Sequence, residues 1–305
     1  MNTTPTPEPA AGAPEPGRRT IGGTPKQMAK SAGFVMAAIA AFFFGTSAVS
    51  LATGDHIIGS IVGGLATAGA IWLWRRARMI PEERARAEER ATTRNISPLG
   101  SANPLAAKDA ITIAAALVLW WLFANITVGW LRNEMASPGF EATNRVLGST
   151  TALVAIFFVV IAAPIAEEAL MRGLAYPVAR RHLTVIPAAL LTAGIFALIH
   201  GNIMQLIIAL PLGVICALIY ELTWQLRYAI AAHVGFNAVG LAVPLSQLSK
   251  ISDHAAAPAV SALLFIMATA ATMAVYAATA EYGRRHELKL MGLPQDPGED
   301  PGNKR

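Results

Sequence analysis

The sequence predicts an all-α protein that crosses a membrane about eight times. Only 14 % of its 305 residues are charged, whereas 54 % are hydrophobic, and the mean hydropathy is +0.47. Soluble globular domains carry about a quarter charged residues, so this chain has too few charges to cover its surface with solvated groups. Lipid must therefore replace water over much of the exterior, and we expect an integral membrane protein.

Eight apolar segments are candidates for the helices of this polytopic bundle, because a helix needs about 20 apolar residues to cross the hydrocarbon core. They are 31–53, 57–74, 110–131, 149–170, 186–202, 205–222, 228–246 and 256–280. Polar residues interrupt the fifth, sixth and seventh segments, so the ends of these three are the least well defined. We expect 31–74 to form an N-terminal hairpin and 110–280 to form the core.

The basic residues predict how the chain is oriented. Lys and Arg concentrate in four segments, namely 1–30, 75–109, 171–185 and 281–305. The connections between them carry few basic residues: 54–56, 132–148 and 247–255. By the positive-inside rule both termini are cytoplasmic. An even number of spans also requires both termini on one side, and we expect the plasma membrane of the cell.

The segments outside the predicted spans differ in composition. Residues 1–30 are rich in Pro, Gly, Thr and Ala, which predicts a disordered cytoplasmic tail, and 281–305 is a second cytoplasmic tail. In the 75–109 connector, Glu82 precedes Arg86 by four residues, a spacing that favours a short exposed helix. We interpret the connector mainly as a solvated segment; a regulatory or lipid-headgroup surface is the alternative.

Two smaller features limit the packing and the partners. Gly59 and Gly63 have the small-xxx-small spacing that lets a neighbouring helix approach closely. The net charge of +5 is not grouped with aromatic residues, so no nucleic-acid surface is predicted. Cys216 is the single cysteine of the sequence, which excludes an intramolecular disulfide.

Ionisable side chains inside the predicted spans are confined to the fourth to seventh segments. They include Glu167, Glu168, His200 and His233, with Arg172 just after the fourth span, and they are accompanied by the amides Asn202, Gln205 and Asn237. Such residues are rare within membrane helices and usually functional. Because the first three spans and the last have no equivalent, we expect a helical shell around one polar centre.

Helix geometry assigns different roles to the two glutamates. Adjacent residues of a helix point about 100° apart, so Glu167 and Glu168 face different ways. Arg172 follows Glu168 by four residues and shares its face, which predicts an ion pair. Glu167 is then left to face a water-accessible pocket, where a carboxylate is suited to handling a proton.

Two further i, i+4 pairs suggest what the polar centre does. His233 and Asn237 share one helix face, and the ring of Phe196 is expected to pack beneath His200. With Glu167 as base, the imidazoles or the amide would stabilise the oxyanion of a tetrahedral intermediate. Glu167, His200 and His233 would equally suit Zn²⁺. The residues alone leave both mechanisms open.

Simpler interpretations compete with this site. A single histidine in an apolar helix is commonly a hydrogen-bonded structural residue, and Glu168 with Arg172 would brace a helix without chemistry. A proton-coupled transporter would also use such carboxylates, but transporters commonly carry inverted repeats, and the two halves of this sequence show no convincing similarity.

Three motifs resemble those of the CPBP family of intramembrane proteases. "EEALMRG" at 167–173 is similar to the family's EExxxR, "FALIH" at 196–200 to FxxxH, and "HVGFN" at 233–237 to HxxxN. The family includes type II CAAX prenyl endopeptidases and the bacteriocin-processing, ABI-like proteins. The order and spacing also fit, and the resemblance covers about residues 145–245. The HExxH, GxGD and GxSG motifs of other proteases are absent from the sequence.

The resemblance implies an α-helical membrane endopeptidase whose site opens toward the cytoplasm. Its substrate would be a membrane-embedded or prenylated, CAAX-like peptide, and its surroundings membrane lipid. By matching position, Glu167 would activate water, Glu168 and Arg172 would support it, and the motif residues His200, His233 and Asn237 would complete the site. Zinc dependence stays open, and a catalytically silent scaffold or immunity factor that binds another membrane protein is the alternative.

One geometric relation conflicts with a single site. If the fifth helix begins near Val185, His200 lies about 22 Å along it, whereas His233 lies only about 7 Å into the seventh helix. We therefore expect the helix boundaries in this region to differ from those predicted.

Overall fold

The computed structural model describes residues 24–79, 105–134, 137–242 and 250–290. Within these ranges the regular structure is helical and contains no strand, which confirms the all-α fold class. The helices are α1 (Pro25–Thr53), α2 (His56–Trp74), α3 (Ala107–Glu134), α4 (Pro138–Gly148), α5 (Ala152–Ala179), α6 (Val185–Leu198), α7 (Ile203–Thr223), α8 (Leu226–Ala242) and α9 (Ala257–Leu290).

Each predicted span coincides with one of these helices, but the helices differ in length. Six of them are long and apolar enough to cross a membrane, namely α1, α2, α3, α5, α7 and α9. The apolar helix α6 has 14 residues and α8 has 17, so α6 is about 21 Å long against a hydrocarbon core of about 30 Å. The amphipathic α4, which no predicted span covers, lies between α3 and α5.

Local caps explain where the first two helices begin and end. Thr24 and Gln27 form a reciprocal capping box, and Pro25 occupies the first helical position, so α1 begins six residues before the predicted span. Gly54 then adopts a left-handed conformation, with φ of 68°, which ends α1 and turns the chain. The Asp55 carboxylate accepts hydrogen bonds from the first amides of α2.

The small-residue spacing of α2 seats α1, as predicted. A Cβ atom added to Gly59 would lie 2.4 Å from the backbone of Ser50, and one added to Gly63 would lie 2.7 Å from the Cα of Thr46. Since no side chain fits at these distances, both glycines are required for the hairpin to close.

The hairpin also packs directly against α5. A Cβ added to Gly64 would lie 3.1 Å from the Cβ of Ala166, and one added to Gly173 would lie 3.3 Å from the Cγ2 of Ile71. A buried cluster joins α1, α2, α5, α6 and α7 around Leu170 and Met171. A second cluster joins α3, α7 and α9. The middle of α5 therefore lies at the centre of the described bundle.

Several predicted segments extend beyond what the structure describes. Residues 1–23 of the N-terminal tail, residues 80–104 of the connector with its Glu82–Arg86 pair, and residues 291–305 lie outside the described ranges. At the C-terminal end, α9 continues ten residues beyond the predicted limit of its span.

Candidate active site

The two adjacent glutamates lie on a short α-helical segment of α5 between two π-helical turns. Ala163–Leu170 is α-helical, whereas Phe158–Ala162 before it and Met171–Ala175 after it are π-helical, with hydrogen bonds between residues five apart. π turns inside α-helices occur frequently at functional sites. Since each π turn changes the direction of the following side chains, these turns set how the glutamates face the neighbouring helices.

Glu168 is fully buried and binds two cationic or polar partners through one oxygen. Its Oε1 accepts a hydrogen bond from Nη1 of Arg172 at 3.1 Å and lies 2.9 Å from Nδ1 of His233. The contact with Arg172 is the one that the i, i+4 spacing predicts. The contact with His233 was not predicted, because no spacing rule relates residues 65 positions apart. These hydrogen bonds offset the cost of burying the charged pair.

Arg172 connects Glu168 to α6 and α7. It is fully buried, and its Nη2 donates a hydrogen bond to the carbonyl oxygen of Gly213. The guanidinium carbon lies 5.6 Å from the centre of the Phe196 ring, a cation–π distance. A Cβ on Gly213 would lie 2.9 Å from the Cβ of Ala193 and 3.3 Å from Nη2 of Arg172. Glycine at 213 therefore makes room for the arginine.

Glu167 is the more accessible of the two glutamates, and it approaches the same imidazole as Glu168 from the opposite ring nitrogen. Its side chain is 22 % exposed, whereas that of Glu168 is 0 % exposed. The Oε2 of Glu167 lies 3.7 Å from Nε2 of His233. This separation exceeds a direct hydrogen bond, but one water molecule can bond to both groups across such a gap.

The His233 ring therefore lies between two carboxylates. Its Nδ1 faces Glu168 and its Nε2 faces Glu167. An ionised carboxylate only accepts, so Nδ1 carries the proton in this contact. The orientation of the ring is thereby fixed, and Nε2 is directed at the carboxylate that is open to its surroundings.

His200 is held at the end of α6 by the backbone. Its Nδ1 donates to the carbonyl oxygen of Phe196 at 2.8 Å, since a carbonyl can only accept. The Phe196 ring stands edge-to-face against His200 at 4.9 Å and against His233 at 5.8 Å. The predicted packing of Phe196 on His200 is present, and the same ring also contacts His233.

The observed helix boundaries reduce the depth difference between the two histidines but do not remove it. α6 ends at Leu198 rather than near 202, and α8 begins at Leu226 rather than 228. His233 consequently lies about 10 Å along α8. The Phe196 ring, one turn before His200, contacts both imidazoles.

Asn237 contacts the backbone of α5 instead of another side chain. Its Nδ2 donates to the carbonyl oxygen of Val159 at 2.8 Å, within the first π turn of α5. With His233 one turn earlier, α8 is attached to α5 at two levels. The shared face of His233 and Asn237 follows the prediction, whereas the attachment to Val159 could not be inferred from spacing.

The side chains do not assemble the three-ligand zinc group that the sequence allowed. Among the residues that the structure describes, no three His, Cys, Asp or Glu side chains form a group able to hold a metal ion. His233 engages Glu168, and His200 engages the carbonyl of Phe196. We therefore derive no step through a metal ion from this arrangement.

A second polar cluster, around Glu221, lies at the end of α7. Arg180 donates to both carboxylate oxygens of Glu221, from Nε at 2.9 Å and from Nη2 at 2.8 Å, and Tyr176 donates its hydroxyl at 2.9 Å. The hydrogen bond with Glu221 raises the pKa of Arg180. Glu221 was not predicted as a site residue, although it lies within the predicted sixth span and is the one acidic residue of 205–222.

Comparison with known proteins identifies the segment that carries these residues. Residues 149–239 match the family model described as "Type II CAAX prenyl endopeptidase Rce1-like". No curated protein and no solved structure gives a match. The match confirms the predicted family resemblance over this segment, which contains every predicted site residue. The chain is thus an integral membrane protein, and its residues 149–239 are similar to the CAAX endopeptidase family.

Proposed function

We propose that the protein is an intramembrane endopeptidase, because residues 149–239 match the family model of the type II CAAX prenyl endopeptidases. It hydrolyses a peptide bond of a membrane-embedded or lipidated, CAAX-like peptide with water activated by Glu167. The observation that carries this proposal is the chain of contacts from Arg172 through Glu168 to His233, whose Nε2 faces Glu167.

The reaction begins with water held between Glu167 and His233. Glu167 takes a proton from this water as the oxygen attacks the scissile carbonyl carbon, and the carbonyl oxygen becomes an oxyanion. The protonated Glu167 then gives its proton to the leaving amine when the C–N bond breaks. The water oxygen and one of its hydrogens enter the new carboxyl group, and the other hydrogen reaches the leaving amine through Glu167.

His233 contributes a fixed hydrogen-bonding direction. With Nδ1–H engaged by Glu168, Nε2 accepts from the attacking water when the ring is neutral and donates to the oxyanion when the ring is protonated. Glu168 and Arg172 hold the ring in position, and in this proposal neither of them touches the substrate.

His200 and Asn237 complete the proposed site. Nδ1 of His200 is engaged by the Phe196 carbonyl, so Nε2 is the atom that can meet the substrate. The Asn237 amide uses one N–H on Val159 and keeps a second N–H for the oxyanion. The 22 % exposure of Glu167 supports access of substrate to this group. The orientation with cytoplasmic termini, in the plasma membrane, is part of the same proposal.

The proposal is tested with purified full-length protein in detergent. The substrates are a prenylated CAAX peptide, its unprenylated form and a pool of membrane-derived peptides, and the variants are Glu167→Ala and Glu141→Ala. Glu141 lies on α4 and is exposed, so it controls for the loss of one carboxylate. We expect cleavage by the wild type and by Glu141→Ala, and none by Glu167→Ala.

Two further outcomes are informative. Cleavage that persists in a chelator supports catalysis by glutamate and water alone, whereas its loss indicates a metal-dependent protease. Folded wild type that cleaves none of these peptides would contradict the proposal and favour the silent scaffold or immunity factor.

A further inference from the structure

Arg75, the first residue of the π turn Arg75–Met79 that continues α2, lies outside the family-matched segment and contacts the backbone of the site helix α5. Nη1 of Arg75 donates to the carbonyl oxygens of Gly173 at 2.8 Å and Arg172 at 3.3 Å. Nη2 of Arg75 donates to the hydroxyl of Tyr220 at 2.9 Å, and its guanidinium carbon lies 5.6 Å from the centre of the Tyr220 ring. One side chain thus joins α2, α5 and α7.

Pro177 removes a backbone donor from the turn whose carbonyls Arg75 binds. In an α-helix the carbonyl of Gly173 would accept from residue 177, and in a π-helix the carbonyl of Arg172 would accept from the same residue. Residue 177 is proline, which has no N–H. The N–H of Tyr176, which would bond to Arg172 in an α-helix, donates to Met171 instead.

The guanidinium therefore supplies donors that Pro177 removes from the second π turn. The fit is close, because a Cβ on Gly173 would lie 3.8 Å from Cδ of Arg75 and 3.3 Å from Cγ2 of Ile71. The same turn carries Arg172, whose side chain holds Glu168, and Glu168 in turn holds His233. Displacement of the turn would consequently reach the ring that faces Glu167.

We propose that Arg75 is a positioning residue for the reaction: it fixes the Met171–Ala175 turn by capping the carbonyls of Arg172 and Gly173. This inference rests on the proposed function for its kinetic consequence. Its structural part, the clamp itself, stands independently of any substrate. The N-terminal hairpin is on this account a working part of the enzyme and not only a membrane anchor.

The matched control is the next residue of the chain. Arg76 carries the same charge and lies 5.5 Å from the Trp72 ring of its own helix. If arginines at this end of α2 served only to orient the chain in the membrane, Arg75→Ala and Arg76→Ala would have equal effects.

The experiment combines kinetics with hydrogen exchange on full-length protein in nanodiscs. For Arg75→Ala we expect kcat on the prenylated peptide to fall about tenfold to a hundredfold, with KM close to wild type. We also expect faster amide exchange in 171–179. For Arg75→Lys, which keeps one donor group, we expect a kcat and an exchange rate between those of the wild type and Arg75→Ala. Arg76→Ala is expected to match the wild type in both.

A second variant tests the role of the proline directly. Pro177→Ala restores a backbone N–H to the turn. The increase in amide exchange rate that Arg75→Ala causes in 171–179 should therefore be smaller in the Pro177→Ala background than in the wild type. Equal increases in both backgrounds would overturn the capping role.

The remaining outcomes separate the two proposals. Unchanged exchange in Arg75→Ala, an unchanged kcat, or an effect equal to that of Arg76→Ala would overturn the inference. Faster exchange in Arg75→Ala together with a wild type that cleaves no peptide would support the clamp and contradict the proposed function.

Discussion

The Nδ1 atom of His233 lies 2.9 Å from Oε1 of Glu168, and the opposite ring nitrogen faces Glu167 at 3.7 Å. Two neighbouring carboxylates of one helix thus contact the two nitrogens of one imidazole. The buried carboxylate, which is also bound by Arg172, orients the ring. The other carboxylate, Glu167, is the more accessible one and is the proposed base.

This division of roles predicts opposite effects for the two glutamates on stability. Glu168→Gln removes one partner of a buried ion pair and should destabilise the fold by about 3–5 kcal/mol. Glu167→Gln should have an unfolding temperature close to that of the wild type but should lose its activity. Thermal unfolding in detergent measures both variants, and equal losses of stability would contradict the assignment.

Gly213 should tolerate no side chain. In Gly213→Ala the new methyl group meets Ala193 at 2.9 Å and Nη2 of Arg172 at 3.3 Å, and overpacking of this kind costs about 1–3 kcal/mol. Gly194→Ala is the matched control, since a Cβ there has no neighbour within 4 Å. We expect a lower unfolding temperature for Gly213→Ala alone; equal values for the two variants would show that the helices do not approach as described.

Phe196 should affect catalysis through both histidines. Phe196→Leu keeps an apolar side chain but loses the edge contacts with His200 and His233, which are worth about 0.5–1.5 kcal/mol each. We expect kcat on the prenylated peptide to fall about tenfold or more. Phe157→Leu, at a position that is 45 % exposed, is the control. The account would be wrong if the two variants had equal kcat values.

The Arg180–Glu221 pair should stabilise the protein without making it pH-sensitive in the neutral range. Glu221 raises the pKa of Arg180 in the folded state, so the stabilisation from Arg180 is complete below the unfolded pKa and is lost only as pH rises through the folded one. Both values lie far above neutrality.

Unfolding measurements on Glu221→Gln test this expectation. The loss of stability relative to wild type should be the same at about pH 7 and about pH 9, where arginine stays protonated. A loss that disappears at the higher pH would indicate that another titrating group carries the interaction.

The sequence predicted the parts of this protein that depend on local spacing. The fold class followed from the apolar segments, and the contact of Glu168 with Arg172 and the packing of Phe196 on His200 followed from i, i+4 geometry. The second partner of Glu168, His233, was not predicted. It depends on how α8 packs against α5, and this packing cannot be inferred from residue spacing.

The features that were missed are likewise non-local. The bond from Asn237 to Val159 depends on a π turn, which an apolar run such as "FVVIA" does not announce. Arg75 was counted only among the basic residues of the 75–109 segment, although Pro177 in the sequence already signals that the carbonyl of Gly173 loses its α-helical donor. Glu221 could have been found as the one acidic residue of its span.

The central claim is that water activated by Glu167 attacks the scissile carbonyl. The most direct test is single-turnover cleavage of the prenylated peptide in ¹⁸O-labelled water, with mass spectrometry of the product that carries the new carboxyl group. We predict that the first turnover places ¹⁸O in this group for the wild type, because activated water attacks the scissile carbonyl, and that Glu167→Gln forms no product. Unlabelled product in the first turnover, which indicates attack by a carboxylate of the enzyme, or product formed by Glu167→Gln at the wild-type rate, would contradict the account.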